Sequence, residues 1–120
     1  GLYRVENGVP KIYVNQHESP LRRRFTIAHE LGHHVLGHLS EAIASGGNAE
    51  LPRDGNVTYS LAFYDQKEVD ANKFAAELLM PESAVAYFVD KTTKNLSELA
   101  RTFNVSDTAM SYRLSNLGYF

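Results

Sequence analysis

The chain has no cysteine. Disulfides and thiolate metal sites are therefore excluded, and any metal ion has to be held by histidine and carboxylate. No apolar run approaches the roughly 20 residues that span a bilayer. Neither a signal peptide, an internal repeat nor a low-complexity segment is visible. An excess of one charge sign is also lacking, since the formal net charge is −2 and provides no basic field to draw the chain onto nucleic acid. What remains is ordinary globular composition, 43% hydrophobic and 22% charged over 120 residues. That is enough for one small domain spanning 1–120 with a single core, and too little for two. The cytoplasm is the expected location, although an opening at Gly1-Leu2 also fits a trimmed longer parent.

What is present is patterned. Leu2-Tyr3-Arg4-Val5 and Lys11-Ile12-Tyr13-Val14 are rich in β-formers, and the turn formers Asn7-Gly8 and Pro10 separate them. Ser19-Pro20 reads as a helix start, with serine as N-cap and proline at the first helical position. Leu21, Phe25, Ala28, Gly32, Val35 and Leu39 then recur at helical spacing and predict the buried face of one long helix. Residues 40–56 are rich in Gly, Ser, Asn and Asp and read as loop, and Val57 to Tyr64 alternates weakly, as a third strand would. A second helix is expected from about Glu68 to Met80, and Pro81 ends it and opens a short third helix.

On the first helix lies His29-Glu30-Leu31-Gly32-His33. Histidines four apart on a helix point the same way, so both imidazoles reach one metal ion. The glutamate between them sits where it can activate a bound water. By chance alone, about one chain in a hundred of this composition would carry the pattern. Two imidazoles and a carboxylate with an open fourth position suit zinc. Glu68 is the best candidate for the third ligand, with Asp70, about 200° around the helix, as the alternative. Asn72, one turn beyond Glu68, is placed to accept the free ring N–H of a ligand histidine. Glu30 is better placed as general base than as ligand. Gly32 would let neighbouring backbone approach. Tyr64, Tyr87, Tyr112 and Arg113 are all candidates to stabilise an oxyanion.

His34 and His38 fall about 140° and 180° around the helix from His29, away from such a centre. Arg22-Arg23-Arg24 reads as a solvated helix end, or as a means of steering an acidic substrate. Near the end of the chain, Asn95-Leu96-Ser97-Glu98 resembles a capping box and Ser106 is a good N-cap. Residues 96–118 thus predict a helical pair joined by a tight turn at Asn104 and stopped by Gly118. Such a pair could bind DNA as a helix-turn-helix, but Asp107 and a single arginine offer few phosphate contacts. A packing role, completing the domain and walling the cleft, fits better. The fold class expected is α+β, with a long His-Glu-x-x-His helix on a small antiparallel sheet and further helices after it.

Two stretches together resemble a known family. Arg23-Arg24-Phe25-Thr26-Ile27-Ala28-His29-Glu30-Leu31-Gly32-His33, followed by Glu68-Val69-Asp70-Ala71-Asn72-Lys73-Phe74-Ala75-Ala76-Glu77-Leu78-Leu79-Met80-Pro81, is similar to the ImmA/IrrE family of zinc metallopeptidases. Phe103-Asn104-Val105-Ser106, Ala109-Met110, Arg113-Leu114 and Leu117-Gly118 resemble that family's C-terminal segment. The resemblance implies a zincin-like fold, with zinc on His29, His33 and Glu68 and Glu30 as catalytic base. It also implies an intracellular protein substrate, typically a helix-turn-helix transcriptional repressor whose cleavage switches on mobile-element or stress-response genes. A non-proteolytic module that grips a repressor or antitoxin partner is the alternative within the same fold.

Overall fold

A computed structural model of the chain describes residues 1–37, 50–52 and 61–119, with side chains at all of these except 50–52 and 61–65. Two strands open it, β1 (Leu2–Glu6) and β2 (Val9–Tyr13), paired antiparallel with Leu2 opposite Tyr13 and Glu6 opposite Val9. Asn7 and Gly8, at φ 51° and 76°, form the two-residue turn. Both central residues of a type I′ hairpin need positive φ, which is why Asn-Gly fits there. Pro10 lies inside β2 rather than in the turn, and β2 is the outer strand of the sheet, where proline's missing N–H costs no ladder bond.

The other edge of β1 pairs with β3 (Glu50–Pro52), giving the strand order β2-β1-β3. This corrects two expectations. Residues 50–52 were expected to be loop; instead they satisfy backbone groups of β1 that would otherwise be bare. The third strand expected over 57–64 is not formed at its end, because residues 61–64 are helical, and 57–60 lie outside the described residues. A short apolar run has no decisive period, and here it continues into a helix.

Helix α1 (Pro20–Val35) starts as its sequence dictates, with Ser19 Oγ accepting from Arg22 N at 3.2 Å and Pro20 in the first turn. It stops at Val35, where Gly37 takes φ +71°; Leu39 lies outside the described residues. Of the expected stripe, Ala28 and Gly32 are buried, but Val35 is 56% exposed. The inner face is largely polar, made of Thr26, His29, Glu30 and His33 around those two small residues.

Helix α2 (Leu61–Leu79) begins seven residues before the expected start at Glu68. It crosses α1 at a seam of small side chains, with Ala71 and Ala75 fully buried. A Cβ on Gly32 would lie 3.2 Å from both the Cα and the carbonyl oxygen of Ala71 and 3.1 Å from Phe74 Cδ1. The missing side chain therefore sets how closely the two helices approach.

Three more helices follow: α3 (Glu82–Lys91), α4 (Leu96–Phe103) and α5 (Asp107–Asn116). Asn95 and Ser106 cap α4 and α5 by accepting from Glu98 N and Ala109 N, each at 3.0 Å. Asn104 turns the chain at φ 56° and Gly118 ends it at φ 88°. Their core is Met80, Val85, Leu99, Ala100, Phe103, Val105, Met110 and Leu114. Each of the larger members contributes about 1.5–3 kcal/mol on burial. Arg24 ties this core to α1 by donating from Nη1 to the carbonyls of Phe103, at 2.9 Å, and Asn104, at 2.7 Å. The expectation of a solvated arginine run holds for Arg22, which pairs with Glu18, but not for Arg24.

Candidate metal centre

Because α1 and α2 meet at Gly32 and Ala71, the side chains flanking that contact face one another. His29, Glu30 and His33 project from α1, all buried, with their candidate ligand atoms within 4.8 Å of one another. From α2 comes Glu68, whose Oε2 lies 2.6 Å from His29 Nε2 and 3.0 Å from His33 Nε2. One turn further along, Asn72 Oδ1 accepts from His29 Nδ1 at 2.7 Å. The two imidazole rings stand edge to face, with centroids 4.8 Å apart.

The donor pattern tests whether a cation fits. With Nδ1 of His29 donating to Asn72, a neutral ring presents only a lone pair at Nε2. A lone pair held 2.6 Å from a carboxylate oxygen is repulsive unless a positive charge lies between them. A proton can bridge one such pair. A metal ion satisfies both Nε2 atoms and the carboxylate at once, and two imidazoles plus a carboxylate is a donor set suited to zinc. The residues present therefore fit the group.

Electrostatics separate the two glutamates. Burial works against ionising Glu68, but the hydrogen bonds and charges of His29 and His33 outweigh it and hold its carboxyl well below the usual range. Glu30 is shifted the other way. Burial pushes its pKa up, only partly offset by His29 and His33. Neither Glu30 oxygen has a hydrogen-bond partner among the described residues, and Oε1 lies 3.7 Å from His29 Nε2. An unsatisfied buried carboxylate costs several kcal/mol unless it engages a ligand or a proton.

All five residues singled out in the sequence (His29, Glu30, His33, Glu68 and Asn72) are thus brought together. Glu68 stands two turns inside α2, so a preference of acids for a helix start does not account for it. Asp70 is turned to the surface and accepts from Gln66 at 2.8 Å. His34 also points away, its Nδ1 accepting from the hydroxyl of buried Tyr3 at 2.8 Å, and His38 lies outside the described residues. Tyr3 was not anticipated; its only signal was its place on the inward face of an alternating strand. Among the oxyanion candidates, Tyr87 lines a separate cavity with Lys94 and Tyr119, and Arg113 is held by Met80 O at 3.0 Å and by Glu77. Tyr112 is exposed beside a groove that includes Asn72, and the side chain of Tyr64 lies outside the described set.

The chain is 33% identical to the radiation response metalloprotease IrrE of Deinococcus radiodurans over 119 residues, covering 96% of this chain and 33% of the relative. The protein of the same name from Deinococcus deserti is 34% identical, with 96% and 38% covered. Metallopeptidase ImmA of Bacillus subtilis is 26% identical over the whole chain and 65% of its own length. The chain thus spans about a third of the Deinococcus relatives and under two thirds of the Bacillus one. No solved structure matches. Among the described residues no helix is long and apolar enough to cross a membrane. The model of the peptidase family M78, described as the IrrE N-terminal-like domain, matches residues 2–115, and the chain belongs to that metallopeptidase family.

Proposed function

We propose that the chain is a zinc-dependent endopeptidase that cuts a specific protein inside the cell, a helix-turn-helix transcriptional repressor. The observation that carries the hydrolase reading is the approach of His29 Nε2 and His33 Nε2 to Glu68 Oε2, at 2.6 and 3.0 Å, beside a Glu30 carboxylate that has no hydrogen-bond partner among the described residues. In this reading His29, His33 and Glu68 hold the metal, and Asn72 fixes the tautomer and orientation of His29. When bound, zinc supplies Lewis acidity, which polarises the scissile carbonyl and acidifies a water. Glu30 takes the proton of the attacking water and passes it to the leaving amine. Its buried setting, which raises its affinity for a proton, suits it to hold that proton between the two steps.

A regulatory target is supported by the names of the Deinococcus relatives, which concern a radiation response. The repressor and the cytoplasmic location are what the family resemblance implies. The DNA-binding reading of residues 96–117 is not favoured, since the lone arginine of α5 is already bonded to Met80 O and Glu77.

Elemental analysis of the purified protein tests the centre. About one zinc per chain, lost in His29→Ala, is expected; no metal after zinc loading would overturn it. Cleavage of co-purified repressors by the wild type but not by Glu30→Gln, with zinc retained in both, tests the hydrolase. Equal effects of both proteins on the repressor would favour the gripping module instead.

A further inference from the structure

A groove of about 660 Å³ runs along one side of the α1–α2 seam, and α5 forms its third wall. Phe25 lines it from α1, Asn72 and Ala76 line it from α2, and Met80, just past the end of α2, lines it as well. These positions form ladders one helical turn apart. From Met80, whose N–H still bonds to Ala76 O, the steps run along α2 through Ala76 to Asn72, and the next step is Glu68. On α1 the step after Phe25 is His29. The inner end of the groove therefore abuts the candidate centre.

We propose that this groove holds an extended segment of the polypeptide substrate, on one side of the bond to be cut, with an aliphatic side chain seated between Phe25, Ala76 and Ala109. The assignment rests on the hydrolase reading above. The groove's length accommodates such a segment. Met80 to Asn72 is about 12 Å along a helix, the length of roughly four extended residues.

The chemistry of the walls agrees. Asn72 Oδ1 is engaged by His29, leaving its Nδ2 to donate to a substrate backbone carbonyl. Among the described residues, the charged side chains that line the groove are Arg22 and Arg113, and both are already paired, with Glu18 and Glu77. Selection is therefore by shape and backbone hydrogen bonding rather than by charge. Ala109, Tyr112, Arg113 and Asn116 fall on one face of α5, and that face borders the groove. The second helix of the helix-turn-helix-like pair is thereby a specificity wall, with Tyr112, 69% exposed, at its rim.

Two measurements test this. In the first, zinc-loaded Glu30→Gln protein with labelled Ala and Met methyls is titrated with a pool of blocked tetrapeptides that each carry one leucine. Shifts at Ala76, Met80 and Ala109 are expected, abolished by Ala109→Trp and weakened about five-fold or more by the milder Tyr112→Ala. In the second, wild type and Ala109→Trp are compared on a library of peptides derived from a bacterial proteome, with zinc content measured in parallel. Cut sites sharing an aliphatic residue at one fixed position within four residues of the bond, lost in Ala109→Trp at unchanged zinc content, are expected. Groove shifts without any cutting would keep the peptide site and remove the hydrolase. Cutting with unchanged rate and preference in Ala109→Trp, or shifts absent or elsewhere, would overturn the groove.

Discussion

Asn72 on α2 accepts a hydrogen bond from Nδ1 of His29 on α1 at 2.7 Å, turning the other nitrogen of that ring toward His33 and Glu68. A histidine fixed in this way needs no rotamer search or tautomer change before it binds a metal. Replacing Asn72 with Leu removes the acceptor while roughly keeping the volume. Zinc affinity is expected to fall about 10–100-fold, as read by competition with a chromophoric chelator. Asn72→Asp keeps the acceptor and should retain most of the affinity.

Gly32 supports the same geometry from the seam. Alanine there gains up to about 1 kcal/mol of helix propensity, but its Cβ would press on Ala71 backbone atoms at 3.2 Å, which cannot rotate away. Overpacking of this kind costs about 1–3 kcal/mol, so the clash wins. Gly32→Ala should lower the Tm and weaken metal binding together, measured by calorimetry and chelator competition. A raised Tm would show that the helices part without cost.

Glu30 makes a prediction of opposite sign. Its folded-state pKa is raised, so the metal-free protein loses stability as pH rises from the ordinary glutamate value, about 4.3, through the higher folded value. Glu30→Gln abolishes that loss. The metal-free variant is expected to be about 1–3 kcal/mol more stable than wild type at neutral pH, with the gap closing in acid. Urea melts at several pH values check this, and a constant gap would contradict it. Glu68, held low by the two histidines, contributes stability that is present above the ordinary value and disappears as pH falls through the depressed one.

Arg24 bonds two carbonyls at the C-terminal end of α4, where a positive charge also complements the helix dipole. Arg24→Met keeps much of the stem and removes both bonds. A loss of roughly 1.5–3 kcal/mol is expected, with faster hydrogen exchange at the α4–α5 turn. Unchanged exchange there would mean that the core of Met80, Leu99 and Leu114 holds the helices without the clamp.

The sequence carried more of the candidate site than of the sheet. His29, Glu30 and His33 are legible because helical spacing alone decides which side chains share a face. Glu68 and Asn72 are legible because they stand one turn apart on a second helix. The strand at Glu50–Pro52 was hidden, since its reason for being a strand lies in β1, not in its own residues. The start of α2 was missed because Leu61 to Tyr64 has no clear period. Arg24 looked like its neighbours, and only the fold shows that α4 ends against it.

The contact between Gly32 and Ala71 has a further consequence, for which ions the protein accepts. If His29, His33 and Glu68 are the ligands, the space between them is set by two helices already in backbone contact. Calcium takes six to eight oxygen ligands at about 2.3–2.6 Å, and would need those helices to spread. A small ion content with four donors would not. On that reading the glycine would work as a size gauge, and selectivity among ions would be written in a residue that touches none of them.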